Sequence, residues 1–236
     1  MNQGKISAIY DSLWNEAENC IRCNQPECDD FLCRKEQDKR RGLSVVCRPN
    51  ECILQRFRDF IHKAEQLEPH QYYYDPQELH ITVLSIISCY DGFDLKNKDP
   101  EAYTGVIEKS IQQAGPMKIT FHGITASKSC VMLQGFPKNE ELELLRGRLR
   151  DNFRTSGLEA SIDQRYTLQT AHSTVIRFGN PFLNPGGFAD FLKQYREFDF
   201  GVTEIGEVEF YFNDWYMSEA VSTKLACYSL KSGSRI

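Results

Sequence analysis

Two histidines in this sequence are each followed, two positions later, by a threonine. The first pair is His80 and Thr82, and the second is His172 and Thr174, about ninety residues further along the chain. Because side chains alternate along a β-strand, an imidazole and a hydroxyl at this spacing point to the same face. The remaining histidines have no threonine at that position. The two His-x-Thr motifs are therefore predicted to contribute to one site.

Two imidazoles and two hydroxyls suit the chemistry of a phosphodiester. Cleaving or transferring such an ester needs a base that deprotonates the attacking oxygen and an acid that protonates the leaving oxygen. Histidine titrates near neutral pH, so one ring can be neutral while its partner carries a proton. The threonine hydroxyls can donate hydrogen bonds to the non-bridging phosphate oxygens. This scheme requires no metal and no other cofactor.

The same motifs also have structural and metal-binding interpretations. A single histidine beside a threonine on a half-buried strand is more often a satisfied core or surface residue than a catalyst. Two imidazoles can instead bind a metal ion, since histidine is a common metal ligand. However, no Asp or Glu occupies a matching third position, and the motif occurs twice in matching elements. These observations favour acid–base catalysis over either alternative.

The hydrophobic periodicity after residue 42 predicts two similar series of strands and helices. The first series has strands at 43–48, 79–87 and 117–124 with helices at 51–67 and 101–114, and the second has strands at 129–134, 171–178 and 202–212 with helices at 139–156 and 187–196. A final strand is predicted at 219–229. Since each middle strand carries one motif, an internally duplicated α+β chain is predicted, with one histidine from each of two lobes lining the cleft between them.

The first 41 residues have a different character. Apolar residues recur at three- and four-residue steps from Ile6 to Ile21, which predicts an amphipathic helix that ends before Asn24. A charged stretch at 34–41 separates this helix from the first predicted strand. We therefore predict an N-terminal, helical, cysteine-containing appendage at 1–41 and a main domain at 42–236. The appendage is expected to support the fold and to take no part in the reaction.

Cysteine usage and charge limit the possible environments and partners. Six of the nine cysteines lie in the first quarter of the chain: Cys20, Cys23, Cys28, Cys33, Cys47 and Cys52. The first residues do not resemble a secretory signal, so reduced thiols and a cytoplasmic location are expected, with a zinc site on the first four cysteines as the weaker alternative. No apolar run approaches the ~20 residues that span a bilayer, so no membrane span is predicted. The net charge of −5 argues against a long nucleic-acid footprint but allows local binding of one phosphate-bearing end.

The paired His-x-Thr motifs, each on a strand preceded by a helix, resemble those of the 2H phosphoesterase superfamily. This superfamily includes the 2′-5′ RNA ligase-like proteins and the RNA cyclic phosphodiesterases, and the resemblance covers roughly residues 42–230. It implies a bilobal, pseudo-twofold α+β domain in which antiparallel sheets line a central cleft and helices lie outside. It also implies a metal-independent reaction in which His80 and His172 act as base and acid, while Thr82 and Thr174 bind the phosphate.

The resemblance adds one further candidate for phosphate binding. The run from His172 to Arg177 is similar to the RNA ligase-like branch, in which an arginine five residues after the second histidine assists the phosphate. Strict alternation along a strand turns Arg177 away from His172, so this role requires a bulge or a strand end between them. The first motif has Ser85 at the corresponding position.

Aromatic residues near the motifs are candidates for stacking on a base. They are Tyr72, Tyr73, Tyr74, Trp215 and Tyr228, and most of them are expected to lie in the core. Of these, Tyr228 is kept as a candidate substrate-binding residue.

The sequence thus predicts a phosphodiesterase for a 2′,3′-cyclic phosphate or a 2′-5′ linkage, carried by an RNA end or a small nucleotide. Two alternatives are a cyclic phosphodiesterase for an ADP-ribose-type cyclic phosphate and a non-catalytic module that binds a nucleotide or an RNA end. The intact motifs in both halves disfavour the binding module.

Overall fold

Nine strands and five α-helices make up the described part of the chain, residues 3–231 of a computed structural model. The helices are α1 Gln3–Arg22, α2 Glu51–Leu67, α3 Pro100–Ile111, α4 Glu141–Ser156 and α5 Pro185–Gln194. The strands are β1 Arg40–Cys47, β2 Tyr72–Tyr73, β3 Ile81–Asp91, β4 Met117–Ala126, β5 Cys130–Pro137, β6 Ser173–Arg177, β7 Asp199–Ile205, β8 Glu207–Asp214 and β9 Thr223–Ser229. Side chains of Asn50, Asp99 and Asn184 accept hydrogen bonds from backbone amides at the starts of α2, α3 and α5 and so fix where these helices begin.

The strands form two antiparallel sheets, one in each lobe. The first sheet has the order β3-β1-β8-β9, and the second has the order β2-β6-β5-β4-β7. The strand β3 follows His80 in the first sheet, and β6 follows His172 in the second. The predicted bilobal α+β fold with antiparallel sheets is therefore confirmed.

The two sequence halves are interlaced rather than laid side by side. The strand β4, which ends the first series, joins the second sheet, and β8, which ends the second series, joins the first sheet. Helix α2 follows β1 but packs against β6 and β7 of the second sheet, whereas α4 follows β5 and packs against β3 of the first sheet as well as β4 of the second. Each half thus supplies a helix that covers the other half's sheet, and one hydrophobic cluster runs through both lobes.

The predicted strand 202–212 is wrong, because this segment forms two strands that belong to different sheets. Strand β7 lies in the second sheet and β8 in the first, with Gly206 between them. The alternating buried positions shift by one residue at Gly206, from Thr203 and Ile205 in β7 to Val208 and Phe210 in β8, and the single predicted strand missed this shift. The final strand begins at Thr223 instead of 219, and the short strand β2 was not predicted.

Helix α1 is the predicted amphipathic helix, and it packs against β4, β5 and α5. Its buried stripe includes Ile6, Tyr10, Trp14 and Ala17. The cysteines are free thiols of mixed exposure. Within residues 3–231 no three His, Cys, Asp or Glu side chains are grouped so that they could hold a metal ion, which leaves the zinc alternative without support. Over the same residues, no helix combines the length and the apolar character that a membrane span requires.

Candidate active site

A cleft of about 190 Å³ lies between the two sheets. Residues of β1, β3, β6 and β8 line it, together with the loop between α4 and β6. The polar and aromatic residues that line it include His80, Thr82, Ser85, His172, Thr174, Arg177, Arg165, Asp163 and Trp215. The structure therefore brings both His-x-Thr motifs to one cavity.

His80 immediately precedes β3 and is held by a backbone group. Its Nδ1 lies 2.6 Å from the carbonyl oxygen of Glu78. Because a carbonyl oxygen only accepts, Nδ1 must carry the hydrogen of the neutral ring. The other ring nitrogen, Nε2, is then free to accept a proton from a molecule in the cleft.

His172 immediately precedes β6, so the two rings occupy matching positions in the two sheets. Its Nδ1 lies 2.7 Å from the hydroxyl oxygen of Thr170. A hydroxyl can donate or accept, so this contact alone leaves the tautomer of His172 open. The two histidines thus share a position in the fold but differ in what holds them.

Both rings are uncharged at neutral pH in the free protein. Burial lowers the pKa of His80 from 6.5 to about 4, with Arg48 and Arg177 adding to the effect and the Glu78 carbonyl opposing it. Burial likewise lowers the pKa of His172 from 6.5 to about 4, and the charges of Arg146, His80 and Arg177 act in the same direction. An anion bound between the rings would raise both pKa values, because it favours the protonated form.

These lowered pKa values predict a loss of stability in mild acid. The unfolded chain binds protons at these two histidines below about pH 6.5, whereas in the folded protein the same two rings bind protons only near pH 4. Stability contributed by the two neutral rings is therefore complete above pH 6.5 and is lost as the pH falls toward 4. Urea titrations of the wild type should show a loss of about 5 kcal/mol over this range, roughly half from each ring, that the His80→Asn, His172→Asn double variant lacks. An equal loss in the double variant would contradict the prediction.

A β-bulge follows the threonine in each motif. In the pairing of β3 with β1, Thr82 faces Val46 and Leu84 faces Val45, which leaves Val83 as the extra residue. In the pairing of β6 with β5, Thr174 faces Met132 and Ile176 faces Val131, which leaves Val175 as the extra residue. Each bulge shifts the side-chain alternation by one residue. Ser85 and Arg177 therefore line the cleft on the same side as the motifs.

Arg177 and Arg165 bring positive charge to the cleft. The Nε of Arg177 donates to the Tyr74 hydroxyl at 2.8 Å. The guanidinium carbons of Arg177 and Arg165 lie 5.7 Å and 4.8 Å from the centre of the Trp215 ring. Among residues 3–231, no carboxylate lies within ion-pair distance of either guanidinium group, while the nearby Asp163 is paired with Arg150. The cleft is thus suited to an anion.

Tyr228 does not belong to this cleft, so its prediction as a substrate-binding residue is wrong. It lies on β9, at the edge of the first sheet, and its hydroxyl donates to the carbonyl oxygen of Thr104 in α3 at 3.4 Å. The ring packs against the hydrophobic core. Trp215 and Tyr74, two of the other aromatic candidates, line the cleft instead.

Arg146 joins the two motifs and was not predicted from the sequence. Its side chain is fully buried in α4. Its Nε donates to the carbonyl oxygen of Val83 at 2.8 Å, and its Nη2 donates to those of Thr82 and Thr170 at 2.9 Å and 2.8 Å. Burial lowers the pKa of this guanidinium to about 10. The signal in the sequence was an arginine on the apolar stripe of the helix, beside Leu142, Leu145 and Leu149.

Comparisons with known proteins agree on the architecture. No family model and no curated protein matches the sequence. A crystal structure of a Thermus thermophilus protein matches with a TM-score of 0.58 and 14% identity, covering 80% of this chain and 98% of that one. E. coli LigT matches with a TM-score of 0.54 and 14% identity, covering 81% and 98%, and a structure described as a phosphoesterase has the same TM-score and identity, covering 81% and 99%. The chain has the 2H phosphoesterase fold. The matched region covers nearly all of those chains but only about four fifths of this one. This chain therefore has additional residues outside the shared fold.

Proposed function

We propose that this protein is a metal-independent phosphodiesterase that acts on a 2′,3′-cyclic phosphate or a 2′-5′ linkage in an RNA end or a small nucleotide. The observation that carries the proposal is the meeting of two neutral imidazoles, His80 and His172, with Thr82 and Thr174 in one cleft. Two rings on matching strands provide the base and the acid that such a reaction needs.

The reaction follows from the arrangement of these groups. A water molecule attacks phosphorus and gives its proton to the free Nε2 of one histidine. The bond from phosphorus to the leaving ribose oxygen breaks, and the other histidine, in its protonated form, donates a proton to that oxygen. The negative charge of the bound phosphate raises the pKa of the ring that must be protonated. Thr82 and Thr174 donate hydrogen bonds to the non-bridging oxygens and hold phosphorus between the rings.

The charge of the cleft supports an anionic substrate. Arg165 and Arg177 face it without carboxylate partners within residues 3–231, although the whole chain has a net charge of −5. Positive charge concentrated in one cleft favours a compact anion over a long nucleic-acid footprint. Crystal structures of E. coli LigT complexed with 3′-AMP, with ATP and with phosphate add support for a phosphate-bearing ligand.

A panel of substrates tests the proposal. Purified protein is incubated with nucleoside 2′,3′-cyclic phosphates, 2′-5′ dinucleotides and an ADP-ribose-type cyclic phosphate, and the products are separated by chromatography. Turnover of a cyclic nucleotide or a 2′-5′ dinucleotide is expected. Turnover of the ADP-ribose-type compound alone would contradict the proposed substrate. Tight binding without any turnover would contradict the proposed reaction and favour a binding module.

Arg177 provides a specific prediction for phosphate binding. Replacing it with methionine removes a charged hydrogen-bond donor from the cleft, which typically costs about 1.5 to 3 kcal/mol. We expect kcat/KM for the best substrate of the panel to fall by about 10- to 100-fold. Arg22→Met, which removes an exposed arginine paired with Glu18 and Asp190, is the matched control and should leave kcat/KM unchanged. Equal values for the two variants would show that Arg177 does not bind substrate.

A further inference from the structure

We propose that Arg40 and Asp29 are positioning residues for Trp215, the tryptophan in the wall of the cleft. Both belong to the N-terminal appendage, and together they hold the indole ring against Arg165 and Arg177. The inference rests on the proposed function for its effect on substrate binding, while the placement of Trp215 can be measured without any turnover. It gives the appendage a part in the site, although this segment was expected only to support the fold.

Trp215 is a half-buried residue that contacts three guanidinium groups. It directly follows β8 and lines the cleft. The guanidinium carbon of Arg40 lies 5.0 Å from the centre of its ring, compared with 4.8 Å for Arg165 and 5.7 Å for Arg177. A cation within about 6 Å of the centre of an aromatic ring is attracted to it. The ring is therefore a common contact for the two arginines that face the substrate and for one arginine of the appendage.

Arg40 is itself fixed by two carboxylates of the appendage. Its Nε donates to Asp38 Oδ1 at 2.9 Å and its Nη2 donates to Asp38 Oδ2 at 2.6 Å. The same Nη2 lies 3.7 Å from Asp29 Oδ2. A two-point contact between a guanidinium group and a carboxylate fixes the orientation of the group as well as its position. Arg40 is therefore held in one orientation beside the Trp215 ring.

Asp29 joins the turn after β8 to the second lobe. Its Oδ2 accepts a hydrogen bond from the Tyr216 hydroxyl at 2.8 Å, and the Nη2 of Arg40 donates to the same hydroxyl at 3.2 Å. The backbone amide of Asp29 donates to the carbonyl oxygen of Phe178 at 3.0 Å. Phe178 directly follows Arg177 at the end of β6. One residue of the appendage thus connects the two segments that carry Trp215 and Arg177.

The same contacts engage the two carboxylates that the appendage brings near the cleft. Within residues 3–231, Asp29 and Asp38 form ion pairs with Arg40 and with no other cation. An unpaired carboxylate beside the cleft would disfavour an anionic substrate. Loss of Arg40 therefore has two effects in the same direction, because it releases the indole ring and leaves both carboxylates without their cation.

The placement of Trp215 can be followed by fluorescence, because the chain has only two tryptophans. In the full-length Trp14→Phe variant, Trp215 is the single indole. Inorganic phosphate at constant ionic strength is the probe of the cleft, and its Kd is read from the change in emission. Arg40→Met in this background is expected to shift the emission maximum to longer wavelength, since the ring gains contact with water. It should weaken phosphate binding by about 3- to 10-fold.

Kinetics separates a positioning role from a catalytic one. Arg40→Met should raise KM for the best substrate of the panel by about 3- to 10-fold and change kcat by less than about twofold, because neither Arg40 nor Trp215 transfers a proton. Arg40→Lys keeps the positive charge but cannot form the two-point contact with Asp38, so an intermediate KM is expected. Arg22→Met, which removes another arginine of the appendage, should leave KM and emission unchanged.

Asp29→Ala tests the second residue and has both a conservative counterpart and a matched control. It removes the acceptor of the Tyr216 hydroxyl and should weaken phosphate binding by about threefold, with a shift in emission. Asp29→Asn keeps an oxygen that can accept this hydrogen bond and should restore most of the wild-type affinity. Asp11→Ala removes another carboxylate of the appendage, which pairs with Arg196 at 2.6 Å, and should change neither quantity.

The possible outcomes separate this inference from the proposed function. If Arg40→Met keeps the wild-type emission maximum, or shifts it without weakening phosphate binding, the role of Arg40 is wrong. If Asp29→Ala and Asp11→Ala give equal results, the role of Asp29 is wrong. Circular dichroism checks that each variant is folded, and Arg40→Lys replaces Arg40→Met if the latter is not. If the wild type turns over no substrate of the panel, the proposed function fails, while the emission of Trp215 still decides what holds the ring.

Discussion

Replacing His80 or His172 with alanine is expected to lower kcat/KM by about 10²- to 10⁴-fold in each case, because each ring carries one of the two proton transfers. The folded state should persist, since both rings are partly exposed to the cleft and neither belongs to the hydrophobic core. His122→Ala is the matched control, because this ring lies on β4 outside the cleft, near Glu197. A variant of either motif histidine that retains the activity of the control would overturn the proposed chemistry.

Chelators and pH test the same mechanism independently of mutation. Activity should survive EDTA, because two imidazoles in opposite protonation states replace a metal-bound hydroxide. Both kcat and kcat/KM should show bell-shaped profiles whose limbs belong to the coupled pair. Since the free rings have pKa values of about 4 and a bound phosphate raises them, the optimum of kcat should lie at higher pH than that of kcat/KM. Coincident optima, or activity abolished by EDTA, would contradict this account.

Arg146→Met is expected to cause the largest loss of stability, about 3 kcal/mol in the free energy of unfolding. The substitution fills much of the same space but leaves the carbonyl oxygens of Thr82, Val83 and Thr170 without this donor in a buried place. Part of this loss of stability is offset, because the variant no longer has to desolvate a charged group on folding. Burial of the Arg146 guanidinium is costly, as its pKa, lowered to about 10, indicates. Turnover per folded molecule should fall as well, because both motifs lose their common anchor.

Two further substitutions on α4 sharpen the Arg146 prediction. Arg146→Lys keeps the positive charge but cannot reach three carbonyl oxygens with a planar fork, so an intermediate loss is expected. Arg154→Met removes an exposed arginine from the same helix and should change stability by no more than about 0.5 kcal/mol. Urea denaturation of the three variants provides the measurement. If Arg146→Met is as stable as Arg154→Met, the shared anchor is not important to the fold.

The sequence predicted the parts of the candidate site that follow a simple alternation. The two-residue spacing puts His80 with Thr82, and His172 with Thr174, on one face of a regular strand, and the duplicated order of elements predicted that the two pairs meet in one cleft. The duplicated order of elements could also be predicted, because apolar residues repeat with different periods in helices and in strands. Arg177 required a departure from regularity, and the bulge at Val175 is that departure.

Other parts depend on contacts between distant segments, which local periodicity does not encode. Strands β7 and β8 are separated by Gly206 alone and were predicted as one strand, because the sheet that each joins is set by partners elsewhere in the chain. Tyr10 and Gly135 meet only because α1 packs on β5, and Trp215 reaches the cleft only because β8 crosses to the first sheet. Tyr228 was chosen for its residue type, but its neighbours in space place its ring against the hydrophobic core and outside the cleft.

The interlaced halves have a consequence for how the chain folds during synthesis. The strand β1 lies between β3 and β8, so a nascent chain that ends before residue 207 exposes one whole edge of β1. An unpaired edge is a template for wrong partners, and pairing between strands so far apart in sequence is slow. The first sheet therefore lacks its central pairing until β8 has been made. The cleft is completed late, when β8 inserts beside β1 and brings Trp215 to the two arginines.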